Sequence, residues 1–238
     1  MNIIRHLEGF VFGAECLGCG KPSSRLDPWL CADCANELDR LSKIPTLKDD
    51  DVFCLYPMRN LTRKMVHALK YHSIPGMASY LIKHSSAKKN GLIWQEITLL
   101  PKPLYFVPVP LHRARYRERG YNQAEKIAAA LASIYQGRVA RFLKRKTFVV
   151  SQTKLSRAER AMNVEGAFEA ALPKEGLASG TVIVVDDVFT TGATTFACVS
   201  ALGKLDVPIK VCTLLYEEAV TAAADFAADC RMEWEFPK

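Results

Sequence analysis

No run of about 18 consecutive apolar residues occurs in this 238-residue chain, so no membrane-spanning helix is expected. The apolar patch at residues 10–14 is too short for the core of a secretory signal peptide. Low-complexity tracts are missing, which argues against a disordered protein, and so are repeats of about 20 to 50 residues, which argues against a solenoid. No GxxxxGK[ST] segment occurs, so a P-loop nucleotide site is excluded. What remains is a globular, cytoplasmic protein, 49% hydrophobic and 24% charged. Its length suits one sizeable core and a small appended module.

Positive charge is abundant but unevenly placed. Residues 111–160 carry thirteen Lys and Arg against three Glu, while the whole chain has a net charge of +7. This segment therefore holds all the positive excess, the footprint of a polyphosphate or nucleic-acid contact. The alternative for such a cluster is a solvated face of amphipathic helices.

Eight cysteines are present, and four of them are patterned. Cys16 and Cys19 form one CxxC, and eleven residues later Cys31 and Cys34 form a second. Two thiolates spaced by two residues can grip one edge of a tetrahedral ion, and a second pair completes a closed zinc site. A segment this small cannot bury enough apolar surface to fold unaided, and metal binding would supply the difference. Unrelated core thiols or a redox pair are the competing reading. Cys54, Cys198, Cys212 and Cys230 lack such spacing and read as small buried hydrophobes. A boundary follows: residues 1–45 as a zinc-finger-like module and residues 46–238 as the main domain, joined by a linker with Pro45 and three consecutive aspartates.

The densest chemistry lies in residues 181–195, TVIVVDDVFTTGATT. The β-branched run at residues 181–185 reads as a buried parallel strand that stops at Asp186 and Asp187. Thr190, Thr191, Gly192, Ala193 and Thr194 then form a hydroxyl-rich turn into a helix. Unpaired N–H groups and the helix dipole make such a turn a phosphate cradle, and the neighbouring carboxylates suit sugar hydroxyls. In open α/β sheets ligands bind outside the carboxyl ends of strands, so acids and cradle share one crevice. The alternative is an ordinary strand-to-helix turn with the acids and threonines serving as caps. The pattern resembles the phosphoribosyl pyrophosphate (PRPP) signature of type I phosphoribosyltransferases.

Elsewhere, strands are expected near residues 52–56, 104–109 and 209–216. The helix LTRKMVHALKYHS ends at Lys70 and Tyr71, whose roles are divided between helix-end stabilisation and substrate contact. After LYFVPVP comes the run HRARYRERGYNQ, whose arginines stand just past a strand end. There a guanidinium can bridge phosphate oxygens, and Arg113 is the best placed for a pyrophosphate. A basic surface helix or turn is the other reading.

Taken together, CxxC, eleven residues, CxxC; LKYHS; VPVPLHRARYRERGYNQAE; RKTFVVSQTKLSRAERAMNVEGAF; and VIVVDDVFTTGAT resemble the ComF family. Its ComFC-type competence proteins are related to amidophosphoribosyltransferases. The resemblance covers most of the chain and implies an α/β type I phosphoribosyltransferase fold with a central parallel sheet behind a small N-terminal zinc module. It implies PRPP as ligand, with the 5-phosphate on residues 190–194, ribose hydroxyls on Asp186 and Asp187, and pyrophosphate on Arg113 and Mg2+. In the family, residues 144–168 correspond to a mobile region that can fold over PRPP, so Lys154, Arg157 and Arg160 would close on the ligand. The helix LSRAERAMN packed on the domain is the alternative for that stretch.

Two functions are then in view. One is a PRPP-binding protein of natural transformation that handles single-stranded DNA alongside other DNA-uptake proteins. The other is an active transferase moving ribose 5-phosphate from PRPP to a small nucleophile. No general base and no acceptor pocket can be named from the residues.

Overall fold

The structure, a computed structural model, describes residues 14–23, 25–44, 51–86, 92–146, 166–174, 176–203 and 205–217. Lys154, Arg157, Arg160, Cys230 and residues 45–50 of the linker expected over 41–51 lie outside them, while Leu41 belongs to the helix before it. The first described elements are a two-stranded antiparallel hairpin, β1 (Ala14–Glu15) and β2 (Pro22–Ser23), followed by helix α1 (Ala32–Leu41). Strand β3 (Val52–Pro57) opens the main sheet and is followed by α2 (Asn60–Tyr71), α3 (Gly76–Ser86) and α4 (Leu92–Leu99). Then come β4 (Leu104–Pro108), α5 (Arg113–Arg119), α6 (Gln123–Tyr135), β5 (Arg138–Val139) and β6 (Leu143–Arg145). The described chain closes with β7 (Phe168–Ala170), β8 (Thr181–Phe189), α7 (Ala193–Leu202) and β9 (Ile209–Tyr216).

The central sheet has five strands in the order β3-β9-β8-β4-β5, and every pairing is parallel. Strands β6 and β7 form a separate antiparallel pair. Parallel strands covered on both faces must be apolar on both faces. In β8 the pleat sends Ile183 and Val185 into the core shared with α2, α3 and α6, while Val182 and Val184 enter the core beneath α7. All four are fully buried, which is why the run reads as continuously β-branched.

Local chemistry sets the helix ends. The Asn122 side chain accepts from the N–H of Ala124 at 3.0 Å to start α6, and donates to the carbonyl of Val109 at 2.9 Å. That second bond ties the start of α6 to the carboxyl end of β4. Gly120 ends α5 in the left-handed region with φ of 77°, where a Cβ would be strained. Among the described residues no helix is long and apolar enough to cross a membrane.

Strand bounds match the expected positions except in β8. It runs through Asp186 and Asp187 to Phe189 instead of stopping at Val185. The extension is held by β9, with Val188 opposite Leu215 and Phe189 opposite Tyr216. A neighbouring strand of equal reach therefore carries the acid-bearing segment past its apolar run. Helix α1 begins at Ala32 and so includes Cys34.

Candidate functional site

The four patterned cysteines converge. Gly20 donates to the carbonyl of Cys16 at 2.8 Å and Cys16 donates to that of Lys21 at 3.0 Å, closing a knuckle between β1 and β2. Cys31 precedes α1 and Cys34 lies in its first turn. The four Sγ atoms lie within 4.8 Å of one another. Cys19 and Cys31 are 3.8 Å apart, which is about the ~3.8 Å edge of a tetrahedron with Zn–S bonds of ~2.3 Å. None of the four is disulfide-bonded.

Their acidities already differ without an ion. Burial works against the Cys16 thiolate, but the amides of Cys19, Cys31 and Gly18 stabilise it and bring its pKa down to about 6. The Cys31 N–H donates to Cys16 Sγ at 3.2 Å. Cys34 is pushed far up by burial and by hydrogen bonding to its neighbouring thiols, so it holds a proton for a metal ion to displace. The donor set and spacing fit a structural zinc, and no fifth ligand is offered by the described residues.

The second site is built where β8 meets α7. The pleat turns Asp186 and Asp187 to opposite faces of the sheet. Asp187 faces α2: its Oδ1 is 2.7 Å from Lys70 Nζ. It is only 5% exposed, and its Oδ2 has no hydrogen-bond partner among the described residues. Asp186 accepts from the Asp187 N–H through Oδ1 at 2.8 Å. Burial first, and then the Asp187 carboxylate, push its pKa up to about 7, against the pull of that N–H, Lys70 and Arg145.

Past the acids, Gly192 takes φ of 73° and hands the chain to α7. The Thr191 hydroxyl accepts from the Ala193 N–H at 3.4 Å, and Thr195 donates to the Gly192 carbonyl at 2.9 Å. The first N–H groups of α7 have no intrahelical partner and face outward with the positive end of the dipole. Thr190 and Thr194 are half-buried beside them. Phe189 and Phe196 meet edge to face below the turn, with centroids 5.9 Å apart. A Cβ on Gly192 would overlap Phe196 Cε2 and lie 2.8 Å from Phe189 Cζ. Gly192→Ala is therefore expected to lower stability by about 2 kcal/mol, combining left-handed strain with overpacking. Urea denaturation checks this, and an unchanged midpoint would show that the turn has room to relax.

Arg113 is the exposed first residue of α5, just past β4. Strand β4 is in register with β8, Pro108 lying opposite Val185, so α5 leaves the sheet at the end where the acids stand. The structure thus gathers Asp186, Asp187, the 190–194 turn and the base of α5 at one sheet end. It also brings two cations to the acids. Lys70, divided by sequence between a helix-end role and a substrate contact, is the ion-pair partner of Asp187. Arg145, which no residue pattern singled out, acts on Asp186 from β6. Only the doubled acid with no nearby basic residue in sequence hinted that such partners were needed.

No protein-family model matches the chain. It is similar to competence protein F of Haemophilus influenzae, 35% identical over 109 residues, which are 45% of this chain and 48% of that protein. DNA utilization protein YhgH of Salmonella typhi is 33% identical over 132 residues, 55% of the chain and 56% of its own length. Competence protein ComFC of Bacillus subtilis is 25% identical over 185 residues, 77% of the chain and 69% of its own length. The first two matches span about half the length of those relatives. From these similarities, and from a cysteine cluster built as a zinc module would be, the chain is homologous to the ComF family of competence proteins.

Proposed function

We propose that this protein is a PRPP-binding, phosphoribosyltransferase-like protein that works in DNA uptake, where it handles single-stranded DNA. The observation that carries the ligand assignment is the free Oδ2 of Asp187, a buried acceptor without a partner among the described residues, on the strand that leads into a glycine turn at a helix N-terminus. A buried polar atom left unsatisfied costs stability and is retained where a ligand completes it. A ribose hydroxyl is a donor of the right kind, and the adjoining N–H groups of α7 suit its 5-phosphate.

In this reading the parallel sheet is that of a type I phosphoribosyltransferase, residues 46–238 form that domain and residues 1–45 form the zinc module. Asp186 and Asp187 hold the ribose hydroxyls; Thr190, Thr191, Gly192, Ala193 and Thr194 hold the 5-phosphate; Arg113 holds the pyrophosphate. In this reading Mg2+ is a hard ion that would come with the pyrophosphate oxygens and neutralise their charge. Lys154, Arg157 and Arg160 are the residues proposed to close over it. The DNA assignment draws on relatives named for competence and DNA utilization and on the basic excess of residues 111–160.

Calorimetry with PRPP and Mg2+ tests the site. The expected result is saturable binding by the native protein and a loss of about 100-fold in the Asp186→Asn, Asp187→Asn double variant, since charge-assisted hydrogen bonds are removed. Equal affinity in the two proteins would remove the ligand assignment. Assaying the same mixtures for released pyrophosphate, with candidate nucleophiles added, separates binding from transfer.

A further inference from the structure

We infer that Tyr71, Tyr116 and Arg119, where the ends of α2 and α5 meet, form a stacking surface for the bases of single-stranded DNA. The assignment rests on the DNA-handling reading above and gives it a location. Tyr71, the last residue of α2, is 48% exposed, and Tyr116 on α5 is 49% exposed. Aromatic rings left so open are not core residues. Arg119 joins them: its guanidinium carbon lies 4.9 Å from the Tyr71 ring centroid, and its Nη2 donates to the Tyr71 hydroxyl at 3.3 Å. Its Nη1 donates to Gln123 Oε1 at 2.9 Å, so the guanidinium plane is held in place before any ligand arrives. Tyr116 and Arg119 are three residues apart on α5, neighbours on one helix face. Two exposed rings and an anchored guanidinium thus stand where α2 and α5 meet, with His67 also against Tyr71, centroids 4.7 Å apart. The bond from the Tyr121 hydroxyl to the Leu69 carbonyl fastens the chain after α5 to the same end of α2.

Such a surface suits unpaired bases. Every base has a face that stacks on an aromatic ring or on a guanidinium, whatever its identity, and the exposed Arg113 and Arg117 supply charge for the phosphates. A duplex hides its base faces, and an apolar protein partner would have to bury these guanidinium groups. Lys70 and Tyr71 are consecutive, so one turn of α2 presents a cation to Asp187 and a ring to the surface. DNA on this surface would lie near the acid pair.

The test is fluorescence anisotropy of labelled oligothymidine with the full zinc-loaded chain at two salt concentrations. Binding by the native protein is expected, with about tenfold loss for each tyrosine replaced and roughly 100-fold for Tyr71→Ala, Tyr116→Ala together. Phenylalanine at both positions keeps the rings and should bind within about twofold of native. Replacing Arg113 and Arg117 by Gln should flatten the salt slope by about 1.4 in log–log form, at ~0.7 for each phosphate no longer neutralised. If the native protein binds no oligothymidine even at low salt, both the DNA-handling reading and this surface fall. If it binds and the double alanine variant binds equally well, the surface alone falls and the reading stands. Equally tight, tyrosine-dependent binding of the matching duplex would overturn stacking as its basis. Circular dichroism melts of the phenylalanine and alanine variants keep a folding defect from passing as lost affinity.

Discussion

Removing metal with a strong chelator is expected to unfold residues 14–44 and to lower the melting temperature of the whole chain by well over about 10 °C. Structural zinc supplies on the order of 10 kcal/mol of folding free energy in small modules, and each kcal/mol moves the midpoint of a chain this size by about 2 to 4 °C. The effect should spread because the module is not insulated. Cys16, Leu30, Cys34 and Leu38 belong to the same buried cluster as Leu61, Met65 and Leu69 of α2. Lys64 Nζ also donates to the Gly18 carbonyl at 2.6 Å, and a Cβ at Gly18 would meet Cys34 Sγ at 2.7 Å. Collapse of the knuckle would bare the α2 face that packs on it.

Cys34→Ser should be as damaging as chelation, since it removes a ligand and buries a hydroxyl. Metal binding displaces protons from the thiols, so zinc affinity should fall as pH falls. In the metal-free chain the lowered pKa of Cys16 contributes stability that is full above about 9 and lost as pH drops through about 6. Native mass spectrometry and thermal melts with and without chelator measure these effects. Protein that carries less than about half an equivalent of zinc, or melts identically after chelation, would refute the four-cysteine zinc site.

Lys70→Ala is expected to cost about 3 kcal/mol at pH 8, a large penalty for a residue that is not in the core. The substitution leaves Asp187 as a buried carboxylate without its cation, and breaking one half of a buried pair is far costlier than replacing both halves. It also removes a charge that pulls the Asp186 pKa down, so the penalty should deepen with rising pH. For Asp186 the folded pKa is raised. Its favourable contribution is full below the unfolded value of about 3.8 and is lost as pH rises through about 7. Asp186→Asn should therefore stabilise the otherwise native protein more at pH 8 than at pH 5, while Asp187→Asn should rescue most of the Lys70→Ala loss. Urea denaturation of the Lys70 and Asp187 single and double variants at both pH values gives the coupling energy directly. Strict additivity, or a Lys70→Ala penalty that ignores pH, would show that the ion pair does not govern the acid pair.

The β-branched run of β8, the helix α2, the turn at Gly192 and the doubled CxxC were all legible from sequence. Each depends on residues within one or two turns of chain, where periodicity, φ preference and ligand spacing act locally. Tertiary structure decided the rest. The order β3-β9-β8-β4-β5 follows from which faces can be buried together, and no local pattern encodes it. Pairing with β9 carries β8 past its apolar run, so Asp186 and Asp187 turn to opposite faces at the end of the sheet. That alternation gives Asp187 a lysine from α2 and leaves Asp186 half-buried beside α7 with a raised pKa. Tyr71 and Arg119, 48 positions apart, meet only because two helices pack at one end of the fold. Residue types thus determined which chemistry is present. Long-range packing determined which charges face each other, because burial and ion pairing depend on neighbours distant in sequence.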